Sequence, residues 1–448
     1  MSPASDGAAV KPVQESERVH SVDALRGFSL LGILLLNIAS FGLPGSAYNN
    51  PQAYGGAEGW NFAVWLTAMV FWDGKMRCIF SMLFGTGAII LLDRAERRGA
   101  GIAAADIYYR RTMWLMLFGL LHAHLIWMGD ILYAYGFVGL LLFPLRKASA
   151  RGLIVAGSAI VLIHCLQNIG GGAAMSEMAK EVKAAKTVEA SGGQLTPAQK
   201  KSIAEWSSMA EFFEPTKAQI DEEIAIHRGG WLANLKRRSG EAASFEFTNF
   251  FQFLFLDVLG MLVLGMGLAK AGVFDASRSY GFYLGLIVAG LGLGLPLNYW
   301  AATQWAAAGF TLPAFLTYIG STSDPGRFLV AGAYVGAIMI ACKLGWRWLT
   351  APLASVGRMA LSNYLLTSIL CTLFFNGYGL GYFAKLQRYQ LFYVVAAMWA
   401  INLVWSPLWL RTFRFGPAEW LWRSLTYWKP QAMRRAPEPE PAAIAAEA

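Results

Sequence analysis

Long apolar blocks separated by short polar connections recur along most of this 448-residue sequence. Each block is about 20 residues long, the length that an α-helix needs to cross the hydrocarbon core of a bilayer. That core offers no water to backbone N–H and C=O groups, so the chain must satisfy them internally as helix. Hydrophobic residues make up 56% of the chain and charged residues 15%, which excludes an ordinary soluble domain. We predict an all-α, polytopic transmembrane helix bundle.

The apolar blocks predict about ten membrane spans, with eleven as the alternative count. The ten blocks are residues 27–44, 77–93, 111–128, 131–147, 152–170, 247–270, 279–299, 326–345, 355–378 and 389–410. The eleventh candidate is the stretch 60–72, which we interpret as an interfacial or re-entrant helix, or as the outer part of a long second span. A separate span here would place the arginine-rich segment 94–98 outside, against the positive-inside rule.

Lysine and arginine in the short connections set the predicted orientation. Lys11, Arg18 and Arg26 precede the first span, and arginines also follow the last span, so both termini are expected in the cytoplasm. Orientation and anionic lipids account for the net charge of +9, and no nucleic-acid partner is predicted. The start of the chain lacks the apolar core of a signal peptide. We expect a multi-pass protein of a bacterial-type cytoplasmic (plasma) membrane.

One large polar segment, residues 171–245, divides the chain into two halves. Its helical stretches, separated by the turn "SGGQ", predict a mostly helical extracytoplasmic insertion, because long segments cross membranes largely regardless of charge. Bundles of five spans each are expected at 20–170 and 246–430. The polar ends, 1–19 and 431–448, are predicted to be disordered cytoplasmic tails.

The stretch "LLHAHLIWMGD" places His122, His124 and Asp130 inside or beside an apolar block. Such residues are costly in a membrane, and histidine suits proton transfer near neutral pH. On a regular helix His122 and His124 point in nearly opposite directions. Asp130 would lie about 12 Å beyond His122 along a continuous helix, too far for a direct pair, although both could line one cavity. We assign His122 and Asp130 to a candidate catalytic set; the alternative is a histidine bonded to a neighbouring helix.

The first span carries a polar stripe on an otherwise apolar helix. Asp23 and Arg26 are three residues apart and can pair at its cytoplasmic end. Asn37 lies on the same side of the helix as Arg26, deeper in the membrane. All three are candidate binding residues, and the alternative for Asn37 is an interhelical hydrogen bond.

Other polar residues inside apolar blocks add to the candidate set. Asp257 lies roughly ten residues into its span, so it is a catalytic candidate whose partner the sequence does not reveal. Arg77 could reach toward the outer interface or hold an anionic substrate group. Arg358 and Asn363 belong to "GRMALSNYLL" near the inner face and are binding candidates, although Asn363 could instead connect helices.

Arginines are dense at the cytoplasmic ends of the second and third spans. Arg110 and Arg111 begin the third span, and Arg94, Arg97 and Arg98 follow the second. The orientation rule explains much of this density. The alternative is a binding site for phosphates, which arginine forks recognise well.

The sequence contains no motif for a resident metal or cofactor. Its four cysteines are far apart in sequence and show no metal-binding or disulfide spacing: Cys78, Cys165, Cys342 and Cys371. There is no phosphate loop, zinc helix or serine-nucleophile elbow. We therefore expect no metal and no permanently bound cofactor, with acyl-CoA considered only as a donor substrate.

Several motifs resemble those of the YeiB-like membrane proteins, the family known as domain of unknown function 418. They are "VDALRGFSLLGILLLNI", "LFGTG", "RRTMWLMLFGLLHAHLIWMGDIL", "DVLGMLVLGM", "GRMALSNYLL" and "FRFGPAEWLWRSLTY". The resemblance covers nearly the whole chain, except the tails and most of 171–245. The chain is more distantly similar to two groups of membrane acyltransferases, the type three family, which acylates extracytoplasmic sugars, and the heparan-α-glucosaminide N-acetyltransferases.

This second resemblance implies roles for several residues. Both acyltransferase groups open with Asp-x-x-Arg, which here is Asp23 and Arg26. The acetyltransferases also carry a buried asparagine, matched by Asn37. The type three enzymes have paired arginines after a small-residue span, matched by Arg110 and Arg111.

The resemblance is incomplete at the histidines. The type three family has a histidine late in the first span, where this chain has Asn37. The active histidine of the acetyltransferases follows that span, but residues 38–51 contain none. His122 would have to take this role.

Three functional hypotheses follow. The first is an acyltransferase-like enzyme that moves an acyl group from a cytoplasmic thioester to an envelope glycan, lipid or small molecule, with His122 as general base and Asp23 and Arg26 at the inner mouth. The second is a transporter in which Asp257, His122 and Asp130 conduct protons or cations. The third is a structural or regulatory membrane protein whose polar residues only connect helices. Membrane lipids are expected partners in each case.

Overall fold

The computed structural model describes residues 18–99 and 101–435. Within these ranges the chain folds into α-helices with short π-helical and 3-10 turns, and it contains no β-strand beyond the isolated bridge between Phe413 and Arg434. The predicted all-α class is confirmed. The outer parts of both predicted tails, residues 1–17 and 436–448, lie outside the described residues.

The described part of the N-terminal half contains seven α-helices: α1 (His20–Gly42), α2 (Ser46–Asn49), α3 (Gly59–Thr67), α4 (Lys75–Arg97), α5 (Gly101–Leu125), α6 (Leu132–Gly139) and α7 (Ala150–Ala190). Helix α7 continues from its apolar first half into the polar segment 171–245 without a break. That segment then contains α8 (Pro197–Phe213), α9 (Lys217–Arg228) and α10 (Trp231–Ser244). The polar segment is therefore helical over most of its length.

The C-terminal half, as far as residue 435, contains nine α-helices: α11 (Phe255–Lys270), α12 (Tyr280–Ala289), α13 (Leu295–Ala307), α14 (Leu312–Ala314), α15 (Ser321–Lys343), α16 (Arg347–Arg358), α17 (Ala360–Phe375), α18 (Leu391–Thr412) and α19 (Pro417–Tyr427). π-Helical turns join several of these, at Phe245–Leu254, Gly290–Gly294 and Phe315–Gly320.

Seven helical runs among the described residues are long and apolar enough to cross a membrane, or eight if the bent pair α16–α17 is one span. This is fewer than the predicted ten for two physical reasons. The block 111–128 lies in α5, whose arginines and histidines lower its hydropathy. The block 131–147 forms only the eight-residue α6 and a 3-10 turn. The number of crossings and the side of each terminus stay predictions.

The stretch 60–72 is the first part of one 39-residue helical run, Gly59–Arg97. A left-handed Gly74, with φ +70°, separates α3 and its π-helical turn from α4. Glycine adopts this conformation without steric cost, so the chain can change direction here and continue as α4. The interpretation of 60–72 as an interfacial or re-entrant helix, or as the outer part of a long second span, stays a prediction.

Glycines bring the central helices into close contact. A Cβ atom added to Gly85 of α4 would lie 2.0 Å from the carbonyl oxygen of Leu262 in α11. One added to Gly357 of α16 would lie 1.9 Å from the carbonyl oxygen of Asp23 in α1. Small residues allow such approaches between membrane helices. The contacts fix α1, α4, α11 and α16 around the cavities described next.

Candidate functional site

Two cavities lie toward opposite ends of α1 and share one wall. The inner cavity, of about 180 Å³, is lined by Arg26 near the start of α1. The outer cavity, of about 590 Å³, is lined by Asn37 near its end. The names inner and outer follow the predicted orientation of the chain in the membrane. The side chains that line both cavities are Ile33, Ile131, Tyr135 and Tyr364, and we call these four residues the septum.

Positive charge dominates the inner cavity. Its charged lining consists of one carboxylate, Glu419, and five arginines: Arg18, Arg26, Arg111, Arg358 and Arg423. Glu419 is already engaged, because it accepts hydrogen bonds from the N–H groups of Leu361 and Ser362 at 2.7 and 3.2 Å. Burial, with the charges of Arg111 and Arg18, lowers the pKa of Arg423 to about 9. The cavity is therefore suited to an anion.

Helix α19 covers this cavity through an aromatic contact. The Arg111 guanidinium lies 3.6 Å from the centre of the Trp422 ring. The Trp422 indole N–H also donates to the Arg111 carbonyl oxygen at 2.8 Å. Arginine stacked in this way keeps its in-plane N–H groups available for a ligand.

The predicted inner-face residues divide into two groups. Asp23 pairs with Arg26 at 2.8 Å, as the spacing predicted, and also with Arg18 at 3.4 Å. Arg111 and Arg358 line the cavity, but Arg110 does not, because it pairs with Asp106 one turn earlier on the flank of α5. Consecutive residues point about 100° apart on a helix, so only Arg111 of the two faces this cavity, and a binding role for Arg110 stays a prediction. The cluster Arg94, Arg97 and Arg98 does not line the cavity either.

His122 and Asp130 form a direct pair, which corrects the prediction that they are too far apart. Helix α5 ends at Leu125, and the chain turns back before α6 begins at Leu132. Asp130 therefore returns beside His122, with 2.9 Å between His122 Nδ1 and Asp130 Oδ1. The 12 Å expectation assumed a continuous helix, about 1.5 Å per residue.

The surroundings of this pair leave one histidine nitrogen unbonded. Asp130 Oδ2 accepts from the Tyr133 N–H at 2.7 Å, and the Tyr364 hydroxyl lies 3.5 Å from Asp130 Oδ1. His122 is 1% exposed, and its Nε2 has no hydrogen-bond partner among the described residues. The ring centres of His122 and Tyr364 are 4.9 Å apart. The pair thus lies directly behind the septum. Of its two members, Asp130 lines the outer cavity and His122 does not. His124 contacts Glu246 at 3.2 Å instead.

Asp257 lies in a buried ion-pair network on the wall of the outer cavity. Both terminal nitrogens of Arg327 donate to its carboxylate, one of them at 3.2 Å, and Arg77 donates at 2.5 Å. Arg327 also contacts Asp324 at 2.5 Å. Asp324 in turn contacts His164 Nδ1 at 3.0 Å. The two guanidiniums and two carboxylates balance in charge.

Sequence analysis missed Asp324, Arg327 and His164. The criterion that selected Asp257 could have found His164, which lies well inside the block 152–170. It could not have found the other two, because Arg327 lies at the start of the block 326–345 and Asp324 precedes that block. Ligand atoms of His164, Asp257 and Asp324 lie within 4.8 Å of one another, a spacing that could hold a metal ion. Arg327 already occupies both carboxylates, however, and its charge would repel a cation. The network does not fit a metal.

Two predicted binding residues have different surroundings. Asn37 lines the outer cavity with Asp130 and Asp257. Asn363 lines neither cavity, because its side chain donates to the Val356 carbonyl oxygen at 3.1 Å and accepts from the Trp405 indole at 2.7 Å. The alternative of a helix-connecting asparagine describes these contacts, and a binding role for Asn363 stays a prediction.

Relatives match this sequence over nearly its whole length. The uncharacterized protein YeiB of Escherichia coli (strain K12) is 31% identical over 423 residues, which cover 92% of this chain and 96% of the relative. The chain belongs to the YeiB-like family. The uncharacterized protein YxaH of Bacillus subtilis (strain 168) is 29% identical over 95% of this chain and 99% of the relative. The family profile "Protein of unknown function (DUF418)" matches residues 268–429. No solved structure matches the chain.

In this YeiB-like protein the DUF418 region supplies only part of the site. Residues 268–429 include Arg327 of the outer network and Arg423 of the inner cavity. His122 and Asp130 lie in the N-terminal half, together with Arg111. Each cavity is therefore built from both halves of a multi-pass membrane protein.

Proposed function

We propose that this YeiB-like protein is a plasma-membrane acyltransferase-like enzyme. It would move an acyl group from a cytoplasmic acyl thioester in the inner cavity to a glycan or small-molecule acceptor in the outer cavity. The observation that carries the proposal is that the two cavities share one wall, the septum, and that a buried histidine–aspartate pair lies directly behind it.

The inner cavity supports the assignment of the donor. Five arginines line this cavity, and two of them, Arg18 and Arg26, also pair with Asp23. Each of these pairings uses one guanidinium nitrogen, and arginine recognises phosphate through several N–H donors. Acyl-CoA carries several phosphates at the end remote from its thioester. With these phosphates held at Arg18, Arg26, Arg111, Arg358 and Arg423, the thioester end would extend toward the septum.

The His122–Asp130 pair supports the chemistry. Asp130 orients the imidazole through Nδ1, and Nε2 remains free to accept a proton. An acceptor hydroxyl or amine would attack the thioester carbonyl carbon, so that a C–O or C–N bond forms and the C–S bond breaks. His122 Nε2 would take the proton of the acceptor and return it to the departing thiolate. Tyr364 separates His122 from the cavities, so this step requires that side chain to move.

Donor binding is tested by calorimetric titration of acetyl-CoA into the full chain in lipid nanodiscs. Arg111→Gln and Arg423→Gln should each weaken binding about tenfold or more, the loss of one charge-assisted contact. Arg110→Gln is the matched control, because Arg110 adjoins Arg111 in sequence but lies outside the cavity. Absence of acetyl-CoA binding, or equal loss in the control, contradicts the donor assignment.

The catalytic role is tested by thiol release from acetyl-CoA in the presence of a membrane extract. His122→Gln should abolish thiol release and leave acetyl-CoA affinity unchanged, because His122 does not line the inner cavity. His124→Gln is the matched control, since His124 lies two residues away and contacts Glu246. Normal thiol release by His122→Gln would remove His122 from the mechanism.

The alternative function is a transporter that conducts protons or cations through Asp257. The ion pairs disfavour it, because two guanidiniums engage the Asp257 carboxylate and their positive charge repels a cation. Substrate counterflow in proteoliposomes that disappears with Asp257→Asn, while the protein stays folded, would favour transport over acyl transfer.

A further inference from the structure

Lys75 is a buried cation without an anionic partner among the described residues. Its side chain lines the outer cavity, and the residue is 2% exposed. Its Nζ makes one described hydrogen bond, to the Met69 carbonyl oxygen at 2.6 Å. An ammonium group has three N–H donors, and buried charges are normally paired. Two donors of Lys75 are thus without a described protein partner.

Arg77 adds a second cation on the same cavity wall. It lines the cavity, and its side chain is 35% exposed. Only its Nη1 is engaged in a described contact, with Asp257 at 2.5 Å, although a guanidinium carries five N–H donors. Asp257 is also held by Arg327, so Arg77 is not its sole partner. Arg77 can therefore bind a ligand while Asp257 remains paired.

The position of both residues strengthens the positive field. Lys75 and Arg77 belong to the first turn of the 23-residue helix α4, which begins directly after Gly74. The first N–H groups of a helix have no intrahelical acceptor, and the helix dipole is positive at this end. A buried and a half-buried cation thus line one cavity, at the edge where helix α4 begins.

The acidic groups of the outer cavity do not neutralise this edge at contact distance. Asp257 and Asp324 are engaged by Arg327, and Asp130 is engaged by His122. Asp73 also lines the cavity but forms no described ion pair with Lys75. An anion between Lys75 and Arg77 would find donors that no carboxylate of the described chain occupies.

We propose that the outer cavity contains a binding site for a carboxylate or phosphate group, formed by Lys75 and Arg77. The acceptor is therefore an acidic compound. That the bound anion belongs to the acceptor rests on the proposed function, whereas the anion site itself does not. The hydroxyl or amine that receives the acyl group would belong to the same molecule, placed toward the septum and His122.

The test uses acetate and methylphosphonate, whose methyl protons report binding by saturation-transfer NMR. Each is titrated separately into the full chain in nanodiscs, which separates carboxylate from phosphate-like ligands. The inner arginines also bind anions, so the parent protein for this test carries Arg111→Gln and Arg423→Gln. At least one of the two probes should bind this parent.

Lys75→Met should weaken binding of that probe about tenfold or more, and Lys75→Arg should restore it. Arg77→Gln is a second variant that leaves Asp257 paired with Arg327. Lys180→Met, on the exposed surface of α7, is the matched control and should bind like the parent. Gel filtration establishes that each variant is folded.

The outcomes separate this inference from the proposed function. Parent-like affinity in both Lys75→Met and Arg77→Gln, or no binding of either probe to the parent, overturns the anion site and leaves the donor assignment intact. Loss of probe binding with Lys75→Met, together with failure of the unsubstituted protein to bind acetyl-CoA, supports the anion site and contradicts the acyltransferase.

Discussion

Replacing Asp257 by asparagine tests whether the outer network holds the fold together. Asp257 is 3% exposed and meets guanidiniums of two residues, Arg77 and Arg327. Removing one member of a buried ion pair costs about 3–5 kcal/mol, because its partner stays buried without compensation. Arg327 retains Asp324 at 2.5 Å, so we place Asp257→Asn at the lower end, near 3 kcal/mol.

The assay is denaturant unfolding in micelles, followed by tryptophan fluorescence. Arg327→Met should destabilise the protein by a similar amount, because it leaves Asp257 and Asp324 with Arg77 as the remaining cation of the network. The double variant Asp257→Asn/Arg327→Met should lose clearly less than the sum of the single losses, since the charges disappear together. The control Asp221→Asn removes an exposed carboxylate and should not shift the midpoint.

The reasoning would be refuted by two results. One is a loss below about 1 kcal/mol for Asp257→Asn, which is the range of exposed ion pairs. The other is strict additivity in the double variant, which would show that Asp257 and Arg327 do not stabilise each other.

Three further predictions concern stability and the inner cavity. Burial lowers the pKa of His227 to about 4, below its unfolded value. The free energy of unfolding therefore keeps its full His227 contribution above pH ~6.5 and loses at most roughly 3 kcal/mol as the pH drops toward 4. The difference between the unfolding midpoints at about pH 7.5 and about pH 5 should be smaller in His227→Gln than in the unchanged protein. Gly357→Ala should weaken the α1–α16 contact by several kcal/mol, because the added Cβ would lie 1.9 Å from a backbone oxygen. Thermal unfolding measures this loss, and a midpoint equal to that of the unchanged protein would contradict the prediction. Glu419→Gln removes the charged acceptor at the start of α17 and should free α19, so trypsin should cut α19 faster than in the unchanged protein.

The sequence was sufficient for the fold class, because membrane length and backbone hydrogen bonding restrict a chain of apolar blocks to helices. It also indicated the Asp23–Arg26 pair, which depends only on helical spacing. It did not indicate the His122–Asp130 contact, because the predicted third span ran to residue 128, whereas α5 already ends at Leu125 and lets Asp130 return beside His122. The partners of Asp257 come from α4 and α15, and helical periodicity carries no information about which helices become neighbours.

The site was predicted best where local rules apply and worst where they do not. Arg111 and Arg358 lie in the inner cavity, whereas Arg110 and Asn363 were placed in the site by proximity in sequence alone. Because consecutive residues of a helix point about 100° apart, the sequence could have shown that Arg110 and Arg111 face different surroundings. Choosing between them required knowing that α19 packs against α5, which brings Trp422 over Arg111.

The septum has a consequence for how such a protein keeps a membrane sealed. Its four members are side chains, Ile33, Ile131, Tyr135 and Tyr364, and no helix needs to tilt for one of them to change rotamer. Tyr135 and Tyr364 are buried, at 1% and 8% exposed, so such a change requires the surrounding side chains to shift as well and is slower than the nanosecond flips of exposed side chains. The two cavities therefore stay separate until neighbouring residues move together, and this keeps the resting protein closed between its two sides.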